Sequence, residues 1–528
     1  MIEQLNLLEH QKIAKQIEID FKNVGDMFLD RVKKYPEKKF LICPGVETDE
    51  FTYKDFRKSV EELIQYFKSI KLEKNDRISL IFHNSPEFLI LYFAGLVYGV
   101  TVVPINPDIT SREIKYILED SKSKKIFYDE RLKSKINELN EFLPKEIFCK
   151  FNMKTDLENL IIEKNIPVNE VSLNDLAVII YTSGTTGNPK GVKLSHLNLL
   201  ADSKSIANWF RFTKDTRTLC ILPLFHNNGQ ITTLLAPLFA GGSTVIVKGK
   251  VSLLSFWEIV KQYDVTWTSV MASILSILLS IPKERKDSTL EAILCGGQVL
   301  TRTVQNDFEN KFSVPIFEGY GLTETTSFSC INDYPAEKRK IGSIGKPLLT
   351  NEMEIIDCAG NILDANQEGE ICIRGLNVSE GYLGLVQKNK ESFRDGWFRS
   401  GDFGHKDEKG YFYIHGRQDS LIIKGGENIY PAEIENVLYK HSEVDECAVI
   451  GIPNKLLGEE ICAYVKIKNT DITSEDLKEF TKNHLAGFKQ PKKIIIINNL
   501  KDMHDIPKGP TKKILYKKLR EHYSKIEN

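Results

Sequence analysis

Between Phe21 and Cys295 the hydrophobic pattern keeps changing period, and this alternation constrains the fold more than any other feature of the chain. Apolar residues recur at helical spacing through Phe21–Tyr35, Tyr53–Ile70 and Arg112–Ser121. Short β-branched runs at Arg77–Phe82, Val100–Val103, Ala177–Tyr181, Thr218–Leu222, Ser243–Val247 and Ala292–Cys295 read as strands. Helix and strand patterns that take turns in this way predict layered α/β architecture. After about Ile341 the pattern shifts to short strands (Glu352–Ile356, Gly369–Arg374, Tyr411–His415) separated by Gly, Asp and Asn turns, which predicts a β-rich subdomain. From about Gly416 a smaller α+β unit follows. It carries a helix at Pro431–His441 with proline in its first turn, strand-like Cys447–Ile450 and Ile461–Ile467, and a helix at Ser474–His484.

Composition narrows the function classes. At 528 residues the chain has room for about three or four compact units. Lys+Arg total 71 against Asp+Glu 72, a balance that gives no whole-chain reason to expect a nucleic-acid partner. The nine cysteines never form Cys-x-x-Cys, which argues against a disulfide framework or a structural zinc site and favours a reducing compartment. The first twenty residues lack the apolar core and cleavage tail of a secretory signal, so a cytoplasmic location is expected. The longest apolar stretch, Phe88 to Val103, is shorter than a bilayer needs and is broken by Gly95, Gly99 and Thr101. It reads as a buried helix and strand, and no membrane span is expected.

The strongest chemical signal directly follows the apolar run Leu176–Ile180. In Tyr181-Thr-Ser-Gly-Thr-Thr-Gly-Asn-Pro-Lys-Gly191, Gly184 and Gly187 leave backbone N–H groups open to an anion. Thr182, Ser183, Thr185 and Thr186 add hydroxyls, and Lys190 adds a charge. That donor set suits a polyphosphate. It is not a Walker A loop, because Pro189 stands five residues after Gly184 where Gly-Lys-Ser/Thr would be required.

This loop resembles the phosphate-binding signature of the adenylate-forming superfamily, and four further motifs in the same order extend the resemblance over nearly the whole chain. Glu318-Gly-Tyr-Gly-Leu-Thr-Glu324 is similar to the family's Tyr-Gly-x-Thr-Glu. The resemblance implies that Tyr320 offers a flat face to a purine, with Gly319 and Gly321 beside it. Thr323 would meet a phosphate oxygen, and Glu324 and Thr186 would hold Mg²⁺. Trp397-Phe-Arg-Ser-Gly-Asp402 resembles Trp-x-x-Thr-Gly-Asp, with Ser400 keeping the hydroxyl of the usual Thr. Asp402 would accept the ribose hydroxyls. Gly416-Arg-Gln-Asp419 resembles the family's hinge, where Arg417 holds ribose or phosphate and Asp419 is the pivot. This sets a large adenylation domain at 1–416 and a small mobile domain at 417–528.

Ile506-Pro-Lys-Gly-Pro-Thr-Lys-Lys-Ile514 resembles the family's Pro-Lys-x-x-x-Gly-Lys-Ile and aligns the catalytic lysine with Lys513. The sequence departs from the pattern at Lys512, which occupies the usual Gly position. Leu222–Gln230 resembles the segment lining the acyl pocket. His226 would stand beside the reacting carboxylate with Asn227 nearby, and Trp267, Met271, Gly296, Gly297 and Gln298 are further pocket or nucleotide-side candidates by the same likeness. The i, i+4 spacing of Trp267 and Met271 fits a core helix face equally well. Asn227, Asn228 and Gln298 give the pocket polar character and favour a short, aryl or polar acid over a long fatty acid. Lys424, Gly425 and Gly426 resemble the post-hinge segment of acyl-CoA synthetases, where the glycines would border a pantetheine tunnel.

The resemblance implies an acyl-CoA synthetase that uses ATP, Mg²⁺ and coenzyme A. A carboxylate attacks the α-phosphate of ATP, pyrophosphate leaves, and a thiol then displaces AMP to give a thioester. With fourteen residues after Ile514 a fused carrier domain is not expected. A ligase that loads a separate carrier protein and a catalytically idle nucleotide-binding homologue stay open as alternatives.

Overall fold

The computed structural model describes residues 18–45, 49–151, 170–182, 188–247, 253–281, 289–468, 472–508 and 514–527. It is a mixed α/β fold with two compact units. One is built from the described residues of 1–300, 306–353 and 372–399, the other from those of 301–305, 354–371 and 400–528. Among the described residues no helix is long and apolar enough to cross a membrane.

In the first unit the predicted alternation becomes two sheets covered by helices. The larger has nine strands in the order Lys346–Pro347, Cys330–Ile331, Ile316–Tyr320, Ala292–Cys295, Trp267–Val270, Arg217–Cys220, Ser243–Ile246, Lys39–Cys43 and Asp49–Thr52. The run from Ile316–Tyr320 through to Lys39–Cys43 is parallel throughout. The smaller has six strands: Phe148–Lys150, Lys125–Tyr128, Arg77–Ile81, Thr101–Ile105, Leu176–Thr182 and Lys190–Ser195. Its last pair is antiparallel and sets Tyr181 opposite Gly191 and Thr182 opposite Lys190.

The helices form where the sequence supplies both a cap and an apolar stripe. In Tyr53–Ser69, Thr52 and Asp55 form a capping box, while Tyr53, Phe56, Val60, Leu63, Ile64 and Phe67 turn one buried face to the core. Pro86–Tyr98 starts on Ser85 with Pro86 in its first turn and stops at left-handed Gly99. Every one of its residues but Glu87 is buried, as expected of a helix enclosed in a core.

The second unit holds a five-stranded sheet. Its order is Glu427–Ile429, Ile422–Lys424, Gly458–Ile467 and Val444–Asn454, with Lys493–Ile496 pairing in parallel on Gly458–Ile467. Its core joins Ile422, Ile429, Ile434, Leu438, Val449 and Val465. The ribbon of Trp397–Lys406 against Phe412–Arg417 places Asp402 opposite Arg417.

Candidate active site

Parallel strands deliver their carboxyl ends to one edge of a sheet, and ligands of open α/β sheets bind in the crevice outside that edge. In the nine-stranded sheet this edge collects the candidates from four segments of the sequence. Arg217–Cys220 runs on to His226, Trp267–Val270 ends at Met271, Ala292–Cys295 opens into Gly296-Gly297-Gln298, and Ile316–Tyr320 leads through Gly321 to Glu324. Trp267 stands at the opposite end of its strand, its ring 4.4 Å from Phe210 and 6.0 Å from Phe317. Met271 caps the next helix, Ala272–Ser280, so the two residues share no helical face.

The acyl-side candidates are tied to their neighbours. Asn84 accepts the Leu224 N–H at 2.8 Å and donates to the Leu222 carbonyl at 3.0 Å, fixing the segment that presents His226. His226 is half-buried and precedes the helix Asn227–Gln230, which passes into a π-helical turn at Ile231–Leu235. Such turns recur at functional sites. The Asn227 amide donates to the Thr326 carbonyl. Gln298 Oε1 accepts the Ser273 N–H at 3.1 Å.

The turn after Tyr320 is held in an uncommon conformation. Glu324 lies in a 3₁₀ turn, Thr323–Thr325, and the next residue, Thr326, has φ 67° and ψ −66°. A buried β-branched residue in this region is strained, at a cost of roughly 1–3 kcal/mol that the surroundings must offset. Here the Thr326 hydroxyl donates to the Asn377 carbonyl at 2.6 Å, and its carbonyl takes the Asn227 amide. Gly321 is required by contact, because a Cβ there would lie 1.7 Å from the Ser327 carbonyl oxygen. At Gly297, with φ +78°, an added Cβ would meet nothing within 4 Å.

Two residues that sequence reasoning missed complete this turn. Tyr382 is buried, and its hydroxyl donates to Glu324 Oε1 at 2.7 Å, while Lys190 Nζ lies 4.6 Å from its ring centroid. Its backbone pairs with Val192, and the Ser379 N–H donates to the Glu324 carbonyl at 2.8 Å. Tyr382 therefore joins the strand leaving the glycine loop to the turn carrying Glu324. Only its place after a Gly could have drawn attention, and no periodicity marks it.

The second is Asp202, fully buried on the helix His196–Trp209. Its Oδ2 accepts the N–H of Phe328 at 3.2 Å, and the Ser327 backbone N–H also bears on the carboxylate. Burial raises this carboxyl well above the usual carboxylate range, against the two backbone N–H groups that lower it. The folded state thus binds the proton more tightly than the unfolded chain, whose carboxyl titrates near ~3.9. The stability this contributes is full below that pH and is lost as pH rises. Asp202→Asn should remove this part of the slope, so that its melting temperature gains on that of the wild type as pH goes from 4 to 8. Calorimetry of both proteins across that range checks it, and a constant offset at every pH would contradict it. On the neighbouring strand end, burial pushes the half-buried Glu318 up to about 8, opposed by the Leu300 N–H.

The second unit brings its own candidates together. Asp402 is buried, with Oδ1 3.6 Å from Arg417 Nε. Asp402 also takes its backbone N–H to Ser400 Oγ at 3.0 Å, so the serine in the Thr position is used. Gln418–Ser420, which includes Asp419, is a 3₁₀ turn. Gly425 and Gly426 form the turn of the hairpin Ile422–Lys424/Glu427–Ile429, and Lys424 pairs with Glu460 at 2.6 Å, both side chains mostly buried. Ser183, Gly184, Thr185, Thr186, Gly187, Lys512 and Lys513 lie outside the described residues.

The arrangement on the nine-stranded sheet fits a nucleotide and a hard cation. Tyr320 closes its strand, an added Cβ at Gly297 would meet nothing within 4 Å, and Glu324 offers carboxylate oxygens, one of them bonded by a tyrosine hydroxyl, of the kind a hard cation prefers. Comparison with known proteins agrees with the motifs. Residues 28–383 match the family model of AMP-binding enzymes, and 433–504 match its C-terminal domain. The chain belongs to the acyl-CoA synthetase family of adenylate-forming enzymes. Its relatives include an oxalate–CoA ligase of Arabidopsis thaliana, 32% identical over 96% of this chain and 99% of the relative. A 2-succinylbenzoate–CoA ligase of Bacillus pumilus is 33% identical over 89% and 94%. Among solved structures, ATP-bound MatB from Rhodopseudomonas palustris matches with a TM-score of 0.87 at 27% identity, covering 96% of this chain and all of that one. As a member of this family the chain is an acid–thiol ligase.

Proposed function

We propose that this enzyme activates a small carboxylic acid bearing a second polar group, using ATP and Mg²⁺, and passes the acyl group to coenzyme A in the cytoplasm. The reaction class is that of the family, an acyl-adenylate followed by a thioester. The observation that carries the reading is the convergence of Gln298, Tyr320 and Glu324 on one sheet edge, with Lys190 joined to Glu324 through Tyr382. The substrate class rests on Asn228 and Gln298 and on the two relatives, whose named acids, oxalate and 2-succinylbenzoate, each carry two carboxyl groups.

In the first half-reaction a carboxylate oxygen attacks the α-phosphorus, the bond to the bridging oxygen breaks, and pyrophosphate leaves. Negative charge builds on the α-phosphoryl oxygens, and catalysis of such transfers lies in positioning and electrostatics. By motif resemblance, Lys190 and the hydroxyls of the glycine loop bind the phosphates, and Lys513 meets the developing charge. Tyr320 and Gly297 flank the base, Asp402 and Arg417 take the ribose, and His226 stands beside the acid. Mg²⁺ at Glu324, when bound, supplies positive charge to the phosphates. In the second half-reaction the thiol gives up its proton to solvent as its sulfur attacks the acyl carbon, the bond from that carbon to the phosphate oxygen breaks, and AMP leaves.

Exchange of labelled pyrophosphate into ATP, run with a panel of carboxylic acids, tests the reading. Acid-dependent exchange with polar or dicarboxylic acids is expected, and silence with every acid would sink it. Coenzyme A and a pantetheinylated carrier protein offered as alternative acceptors then decide the thiol. Asp419→Pro should keep exchange near the wild-type rate while thioester formation falls by about tenfold or more, as expected where a conformational step separates the half-reactions. Equal loss of both half-reactions would remove Asp419 from the hinge.

A further inference from the structure

We propose that Tyr382 is a positioning residue for the nucleotide–metal centre, with its hydroxyl aiming Glu324 and its ring seating Lys190. This rests on the proposed function and adds a member that the motifs do not contain. The geometry divides the labour within one side chain. The hydroxyl donates to Glu324 Oε1 at 2.7 Å, which fixes the rotation of a carboxylate proposed to hold the cation. The ring face lies 4.6 Å from Lys190 Nζ, where the aromatic quadrupole attracts an ammonium without neutralising it.

The backbone that carries the ring is held on both sides. The Tyr382 N–H donates to Asn389 Oδ1 at 2.7 Å, and Asn389 Nδ2 returns a bond to the Tyr382 carbonyl at 2.9 Å. Gly381 O accepts the Lys193 N–H at 3.0 Å and Leu383 N–H reaches Gly191 O at 2.8 Å, which locks the tyrosine to the strand carrying Lys190. The Phe393 ring closes the far side at 5.9 Å, edge-on. A residue buried merely to fill space would need neither the aimed hydroxyl nor the bridge on both sides.

Two variants of the full chain separate the two roles. Tyr382→Phe keeps the ring and removes the hydroxyl, and Tyr382→Leu removes both. Binding is read as loss of the free Mn²⁺ paramagnetic resonance signal in the presence of α,β-methylene-ATP, and separately as affinity for that analogue in EDTA. Tyr382→Phe is expected to weaken Mn²⁺ by about tenfold, the scale of a hydrogen bond to a charged group, and to leave the metal-free affinity within about twofold. Tyr382→Leu should weaken both. In Glu324→Gln the added Tyr382→Phe change should cost little further, because the two act as a unit. A Mn²⁺ titration of Tyr382→Phe matching that of wild type, or equal losses with and without metal, overturns the proposal. If wild-type protein holds no Mn²⁺–nucleotide, the proposed function falls with it, whereas intact wild-type binding with an indifferent Tyr382→Phe removes this inference alone.

Discussion

Replacing Lys513 with alanine is expected to lower acyl-adenylate formation by about 10²-fold or more, the usual cost of removing a preorganised charge that meets the transition state. The carboxylate attack leaves extra negative charge on the α-phosphoryl oxygens, and a lysine proposed to arrive only for this step would stabilise that charge without binding ATP more tightly beforehand. The loss should therefore appear in the rate of pyrophosphate exchange at saturating ATP, with KM for ATP little changed. The sequence adds a sharper control, because Lys512 stands where the family pattern has glycine. Lys512→Ala keeps the charge at 513 and should cost far less. Equal losses in the two variants would mean that the register of this motif is misassigned.

Gly321→Ala should be nearly as damaging, for a reason of contact rather than charge. The methyl would lie 1.7 Å from the Ser327 carbonyl oxygen, so the backbone of the Glu324 turn or of the strand must move. Backbone overpacking of this kind costs on the order of 3 kcal/mol, and displacement of a catalytic carboxylate by an ångström commonly costs about 10²-fold in rate. Both a fall of several degrees in melting temperature and a loss of exchange are expected. Gly297→Ala provides the contrast. Its methyl meets no protein atom within 4 Å, so the fold keeps all but the strain of a left-handed alanine, roughly 1–2 kcal/mol. Nucleotide affinity should bear the larger effect there, because the methyl enters space proposed for the base. A Gly321→Ala protein with wild-type melting and activity would show that this turn tolerates what its contacts forbid.

How far the sequence could be read follows from the range of each signal. Local periodicity placed the strands Arg77–Ile81 and Ala292–Cys295 and the helix Tyr53–Ser69 within a residue or so of their observed ends, because caps and apolar stripes are local. The Tyr320–Glu324 turn and the Asp402 ribbon could be singled out as motifs because their residues are consecutive, while the Ser183–Gly187 part of the glycine loop lies outside the described residues. Trp267 was not, since i, i+4 spacing cannot tell a helix from a strand followed by a cap, and only the register against Thr218 and Ala292 fixes it. Tyr382 and Asp202 were invisible for a different reason. Each acts on a partner far along the chain, Glu324 in one case and Phe328 in the other, and a single sequence holds no trace of that separation.

The two stretches assigned to the acid are anchored differently, and this governs how the enzyme's tastes can change. Gln298 ties back to the start of the helix Ala272–Ser280 through the Ser273 N–H. Asparagine 227 instead grips the strained threonine two residues beyond Glu324. Changes at Gln298 are thus expected to alter acid preference without moving Glu324, whereas a change at Asn227 acts on the turn that carries it.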